Sequence, residues 1–190
     1  MSNIAIMGGT FSPPHVGHVL MAQYVLLTQQ IDQVFVVPVF KHPLEWKKPA
    51  ASFDHRVNMC LAAFDHTKNV AISLAEKEAV EAGGGGYTLE MARLLTSKYP
   101  NESFHLVLGT DCLRDFPTWD NTAGLLDLVK ILPIGRPGYE VEWEGRKIPT
   151  VLPEVSSTKI RQGLAANSNI DHLVPKSVLR YIRENNLYLP

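Results

Sequence analysis

Apolar residues follow two rhythms along this chain. Short, consecutive apolar runs rich in β-branched residues stand at residues 3–7 ("NIAIM"), 33–39 ("QVFVVPV"), 70–75 ("VAISLA"), 103–109 ("SFHLVLG") and 130–135 ("KILPIG"). Such runs predict buried strands, and residues 150–155 ("TVLPEV") predict a last, shorter one. Elsewhere apolar residues recur every three to four positions, predicting helices over residues 17–30, 52–66, 87–99, 157–166 and 175–186. Ser52 stands where it can cap the second helix. Pro175 falls near the first turn of the last one, where a missing N–H is tolerated.

Strands and helices alternating at this spacing argue for βαβ units. The expected fold is a Rossmann-like, doubly wound α/β domain, a parallel sheet with helices on both faces, spanning residues 1–190 without internal repeat or long linker. Two segments break the rhythm. Residues 41–51 ("KHPLEWKKPAA") are polar and proline-flanked and predict a loop. The glycine run in "EAGGGGYT" predicts a flexible turn before a helix.

Bulk composition narrows the function. The chain is 45% hydrophobic and 19% charged, with a net charge of -1, ordinary for a globular protein and without the basic excess of a nucleic-acid or membrane-surface binder. No apolar run approaches the roughly 18–20 residues of a membrane span. The N-terminus "MSNIAIMGGTF" lacks the basic region and cleavage pattern of a signal peptide, so the expected location is cytoplasmic. Cys60 and Cys112 are the only cysteines and read as reduced core thiols.

The candidate chemistry begins where the first strand ends. In an open parallel sheet, ligands bind beyond the carboxyl ends of the strands. "GGTFSPPHVGH" must lie there. Gly8 and Gly9 present backbone N–H groups without a side chain in the way, and the following helix points its positive end at the same place. His15 and His18, three residues apart, can face one pocket. Neither G-x-x-x-x-G-K-[ST] nor G-x-G-x-x-G is present. Zinc would need three or four protein ligands, and no Cys/His cluster supplies the rest. A second stretch, "SSTKIRQGL", offers the hydroxyls of Ser156, Ser157 and Thr158 at a helix start, with Lys159 and Arg161 in the first turn. Cations there oppose the helix dipole, and a bound anion compensates them.

"GGTFSPPHVGH" together with "SSTKIR" resembles the nucleotidylyltransferase superfamily with the H-x-G-H signature, and within it the nicotinate-mononucleotide adenylyltransferases. "GTDCLRDFPTWDN", "YTLEMARLL" and "HLVPKSVLRYIRENNLY" are similar to further stretches of that family. The resemblance implies an enzyme of NAD biosynthesis. A mononucleotide phosphate would attack the α-phosphorus of ATP, giving deamido-NAD and pyrophosphate. It implies that His15, His18 and Arg161 carry catalysis. ATP would be bound by Gly8, Gly9, Thr10, Phe11, His15, His18, Gly109, Asp111, Ser156, Ser157, Thr158 and Arg161. Tyr87, Thr88, Trp119 and Lys47 would face the pyridine mononucleotide, Trp119 by offering a flat indole face and Trp46 serving as a lid. Mg²⁺ would arrive with ATP, held by phosphates and water rather than by protein ligands.

Two positions depart from the family pattern. Ser12 replaces the usual Asp or Asn, and the basic contact after the second strand falls on Lys47, with Lys41 and Lys48 as alternatives. Nicotinamide mononucleotide, or a different phosphate acceptor, is the alternative substrate. A nucleotide-binding regulator without turnover is the alternative outside enzymes. ATP and a pyridine mononucleotide are the expected partners, with no nucleic acid and no membrane, and a homo-oligomer is compatible with the sequence.

Overall fold

The first apolar run becomes the centre of the sheet. In the computed structural model, which describes residues 1–41 and 50–189, β1 (Asn3–Gly9) is followed by α1 (Val16–Thr28), β2 (Gln33–Pro38), α2 (Phe53–Phe64) and β3 (Val70–Ile72). Then come α3 (Ala75–Glu81), α4 (Thr88–Lys98), β4 (Ser103–Gly109) and two short helices, α5 (Thr110–Leu113) and α6 (Thr122–Leu126). The chain continues through β5 (Val129–Ile134), a hairpin of β6 (Glu142–Trp143) and β7 (Arg146–Lys147), then α7 (Ser157–Ala165) and α8 (Lys176–Glu184). The main sheet has the order β3-β2-β1-β4-β5, and all its pairings are parallel, with Ile6 opposite both Phe35 and Leu106.

Side chains on a strand alternate between faces, and β1 divides its residues accordingly. Ile4 and Ile6 pack with Leu89, Ala92 and Leu95 of α4. Ala5 and Met7 pack with Ala22 and Val25 of α1 and with Cys60 and Phe64 of α2. A third cluster joins Met59 of α2 to Ile160 of α7 and Val178 and Ile182 of α8. The doubly wound architecture read from the sequence is therefore present, and Ser52 caps α2 through its hydroxyl.

Four expectations are corrected. The strand over residues 70–75 ends at Ile72. The segment "AEKEAVE", built of good helix formers, turns into α3 instead. Residues 150–155 form no strand: Thr150 makes an isolated bridge to Gly135, and Pro149 and Pro153 bring no N–H to a ladder. The glycine run is ordered, because the Glu90 carboxylate accepts N–H bonds from Gly85, Gly86 and Tyr87 at 2.9–3.0 Å. Cys60 is buried, and that burial pushes its thiol well up, whereas Cys112 is exposed rather than in the core. The hairpin was not legible in the apolar pattern; its turn places Glu144 and Gly145 at positive φ, the geometry of a tight two-residue connection.

Candidate active site

Strand order reverses direction at β1 and β4, where the carboxyl ends of a doubly wound sheet leave a crevice. The chain after β1 is shaped to line it. Phe11, 1% exposed, takes a left-handed φ of 49°, uncommon for a bulky residue. A side chain at Gly9 would meet the Phe11 ring at 3.1 Å, so glycine there permits the close approach. Neighbouring carbonyls are tied down from elsewhere in the fold. Arg56 of α2 donates to the Thr10 carbonyl at 3.0 Å, Arg161 to the Ser12 carbonyl at 2.7 Å and the Ser157 hydroxyl to the Pro13 carbonyl at 2.8 Å. The two motifs picked out in the sequence thus brace each other directly.

His15 is the N-cap of α1 and His18 lies one turn in. Their rings stack with centroids 3.7 Å apart, and the His15 backbone N–H donates to His18 Nδ1 at 3.1 Å. A ring nitrogen that accepts carries no proton, so neutral His18 holds its proton on Nε2. Burial, reinforced by the Arg136 guanidinium, lowers His15 to about 4. Burial, then His15 and Arg136, hold His18 well below the usual range. Both are neutral hydrogen-bond donors at pH 7 rather than cations.

The opposite wall comes from α7. Ser156 caps it by accepting from the Lys159 N–H at 3.3 Å. Arg161, one turn on, reaches back over Thr158 (3.3 Å) to the Ser12 carbonyl. Lys159 instead turns outward to an exposed pair with Glu154. The resulting cavity of about 350 Å³ is bounded by Thr10, Phe11, His15 and His18 on one side and Ser156, Ser157, Thr158 and Arg161 on the other. Ser12, noted in the sequence only as a departure from the family pattern, completes the lining with Ala50 and Arg136, which were not picked out there. Arg136 sits just past β5, with no motif around it in the linear chain. It donates to the Asp111 carboxylate at 2.5 Å and the Val155 carbonyl at 3.2 Å, and its N–H donates to the Thr110 hydroxyl at 2.9 Å.

The other expected site residues stand around this cavity rather than in its lining. Gly8 and Gly9 end β1 and Gly109 ends β4. A side chain at Gly109 would strike Asp111 Oδ1 at 2.4 Å, which ties those two residues of "GTD" together. Asp111 is linked to the cavity through Arg136, and its Oδ1 is buried without a partner among the described residues. Tyr87 is exposed at the start of α4, and Thr88 is the first residue of that helix. Trp119 is half-buried, edge-on to Phe116 at 5.5 Å. Lys47, with Lys48 and Trp46, lies outside the described residues. Lys41 is exposed at the end of β2's trailing segment.

Two guanidiniums, two neutral imidazoles, five hydroxyls and the N-termini of α1 and α7 make this a donor-rich cavity, suited to phosphate oxygens. That donor set does not fit Mg²⁺, which prefers oxygen ligands, and among the described residues no group of three or more His, Cys, Asp or Glu could hold a metal. No described helix is long and apolar enough to cross a membrane.

Known proteins carry similar sequences and folds. The cytidylyltransferase-like family matches residues 6–163. The nicotinate-nucleotide adenylyltransferase of Bacillus subtilis is 34% identical over 190 residues, covering 99% of both chains. Among solved structures, the nicotinic acid mononucleotide adenylyltransferase of Plasmodium falciparum is similar in its complex with NaAD (TM-score 0.80) and in its complex with APC (TM-score 0.79). Identity is 20% in each case, over 99% of this chain and 98% of that one. At that identity the likeness speaks for the fold.

Proposed function

This chain belongs to the cytidylyltransferase-like family, alongside its nicotinate-nucleotide adenylyltransferase relatives, and from that premise we propose that it is an adenylyltransferase joining ATP to nicotinate mononucleotide. The products are deamido-NAD and pyrophosphate. The observation that carries the reading is the donor-rich cavity between the His15–His18 pair and the start of α7.

The chemistry follows from the charges. The acceptor phosphate is already anionic, so its oxygen attacks the α-phosphorus without a general base. One P–O bond forms as the bond to the β-phosphate bridging oxygen breaks, and the electron pair leaves with pyrophosphate. Positioning and charge stabilisation supply the acceleration. His18 Nε2–H and His15 donate to phosphate oxygens. Arg161 and Arg136, with the hydroxyls of Ser156, Ser157 and Thr158, balance the charge of the triphosphate. A magnesium ion bound to the triphosphate would supply further counter-charge.

Acceptor choice rests on α4 and the segment around Trp119. Because Glu90 occupies the N–H groups of Gly85, Gly86 and Tyr87, Thr88 is the first donor on α4 left for the pyridine carboxylate. Hydrogen bonds to a charged group are worth roughly 1.5–3 kcal/mol, enough for a preference of about tenfold or more over the amide. Trp119 contributes a ring face that serves both. The test is pyrophosphate release with Mg-ATP across nicotinate mononucleotide, nicotinamide mononucleotide, phosphopantetheine and a sugar phosphate. The highest kcat/KM is expected with nicotinate mononucleotide, and Trp119→Ala should weaken both pyridine acceptors. Equal or better use of the amide would replace the acid assignment.

A further inference from the structure

The last residues of the chain reach the phosphate loop. The Tyr188 hydroxyl lies 2.9 Å from Ser12 Oγ, across 176 positions of sequence. Ser12 is 1% exposed. Its hydroxyl belongs to the residue between strained Phe11 and the prolines that lead to His15. Phe11 in turn packs edge-on against His18, with ring centroids 4.9 Å apart. A continuous line of contacts therefore runs from Tyr188 through Ser12 and Phe11 to His18.

Three of the ties on this loop grip backbone carbonyls, from Arg56, Arg161 and Ser157. The Tyr188 contact is different, since it meets a side chain at the position where the sequence carries a serine. It also sits beside two of the other ties: the phenol faces the charges of both Arg56 and Arg161, and burial keeps it protonated. Tyr188 itself adopts a φ of 60° and packs against the cluster shared by α2, α7 and α8. Tyr188 and Phe11, the residue before Ser12, are both held in left-handed conformations on either side of this hydroxyl pair, arranged by their surroundings rather than by local preference.

We infer that Tyr188 is a positioning residue for nucleotidyl transfer, holding the Phe11–His15 turn, and through it His18, by its hydrogen bond to Ser12. This rests on the proposed function for the reaction assayed, but not for ATP binding. Loss of either hydroxyl leaves the other without this partner and frees the turn.

The experiment compares Tyr188→Phe, Ser12→Ala and the double variant with the unmutated chain, reading kcat, KM for ATP, ATP affinity by calorimetry, and melting temperature. Each single change should lower kcat/KM for ATP and ATP affinity about five- to tenfold, the scale of one neutral hydrogen bond. Melting should shift by only a few degrees. The double variant should fall no further than the worse single, because both changes remove the same bond. Unchanged kinetics in both singles, losses that multiply in the double, or a collapse in melting temperature with unmutated kinetics per folded molecule would each overturn the inference. If the unmutated chain binds ATP but does not turn it over with nicotinate mononucleotide, the proposed function fails. The same pattern in ATP affinity then upholds the role of Tyr188, and its absence removes it.

Discussion

A methyl group at Gly17 would come within 2.7 Å of Val155 Cγ1 and 3.1 Å of His15 Nδ1. The glycine of the H-x-G-H stretch is therefore where α1 presses against the segment leading into α7, with the His15 ring packed alongside. Alanine is the better helix former by roughly 1 kcal/mol, but overpacking a closed contact costs about 1–3 kcal/mol. Gly17→Ala should lower the melting temperature and reduce kcat/KM by about tenfold or more. Adding Val155→Ala should recover most of the melting temperature and little of the activity, since the displaced His15 remains. Thermal melts and steady-state kinetics on the pair check this; full recovery of activity would assign the glycine to packing alone.

His18 should be a neutral Nε2–H tautomer. Long-range ¹H–¹⁵N spectra of the free protein are expected to show its Nδ1 as an unprotonated acceptor at pH 6.5, with no titration of His15 or His18 between pH 5.5 and 8. His18→Ala should reduce turnover by roughly 10²-fold, the size of one preorganised donor, with the fold intact. A protonated imidazole at pH 6.5, or near-normal turnover in a folded variant, contradicts the assignment.

Arg161 divides its guanidinium between the Ser12 carbonyl and the Thr158 hydroxyl. A lysine keeps the charge but not the planar fork. Arg161→Lys should therefore weaken ATP binding by about tenfold and loosen the turn. Calorimetry with ATP is the measurement, and unchanged affinity and turnover would remove the residue from the site.

Glu76 makes stability depend on pH. Its carboxylate, 9% exposed, accepts from the Phe40 and Lys41 N–H groups at 2.9 and 3.3 Å. Burial nevertheless outweighs those bonds and the nearby Arg56 charge, and pushes the group up to about 7 from an ordinary 4.5. Between those values the folded chain holds a proton that the unfolded chain has lost, so this contribution to stability falls as pH rises through the window. His15, lowered to about 4, has the opposite sign: stability is lost as pH falls from 6.5 towards 4. Glu76→Gln removes only the first effect. The melting temperature of the variant minus that of the unmutated chain should increase steadily from pH 5 to pH 7.5, and a flat difference would show that Glu76 does not titrate in this range.

The linear chain determined most of the scaffold and both walls of the cavity. Apolar runs of strand length and apolar residues at helical spacing are local properties, so five of the six expected strands and all five expected helices formed close to where they were read. "GGTFSPPHVGH" and "SSTKIR" were legible because each packs its functional groups into a single turn. Tertiary structure decided what no local pattern encodes. Arg136 joins the cavity only because β4 and β5 pair side by side, bringing it to Asp111. Glu90, three residues into its helix, claims the N–H groups of Gly85, Gly86 and Tyr87 that precede Thr88. Residues 150–155 follow the C-terminal edge instead of extending the sheet, because prolines deny them a ladder and Val155 is drawn against Gly17 and Arg136. Hydrogen bonds between groups far apart in sequence have no period to betray them; packing creates them, and the contact between Ser12 and Tyr188 exists only once α2, α7 and α8 have closed around the loop.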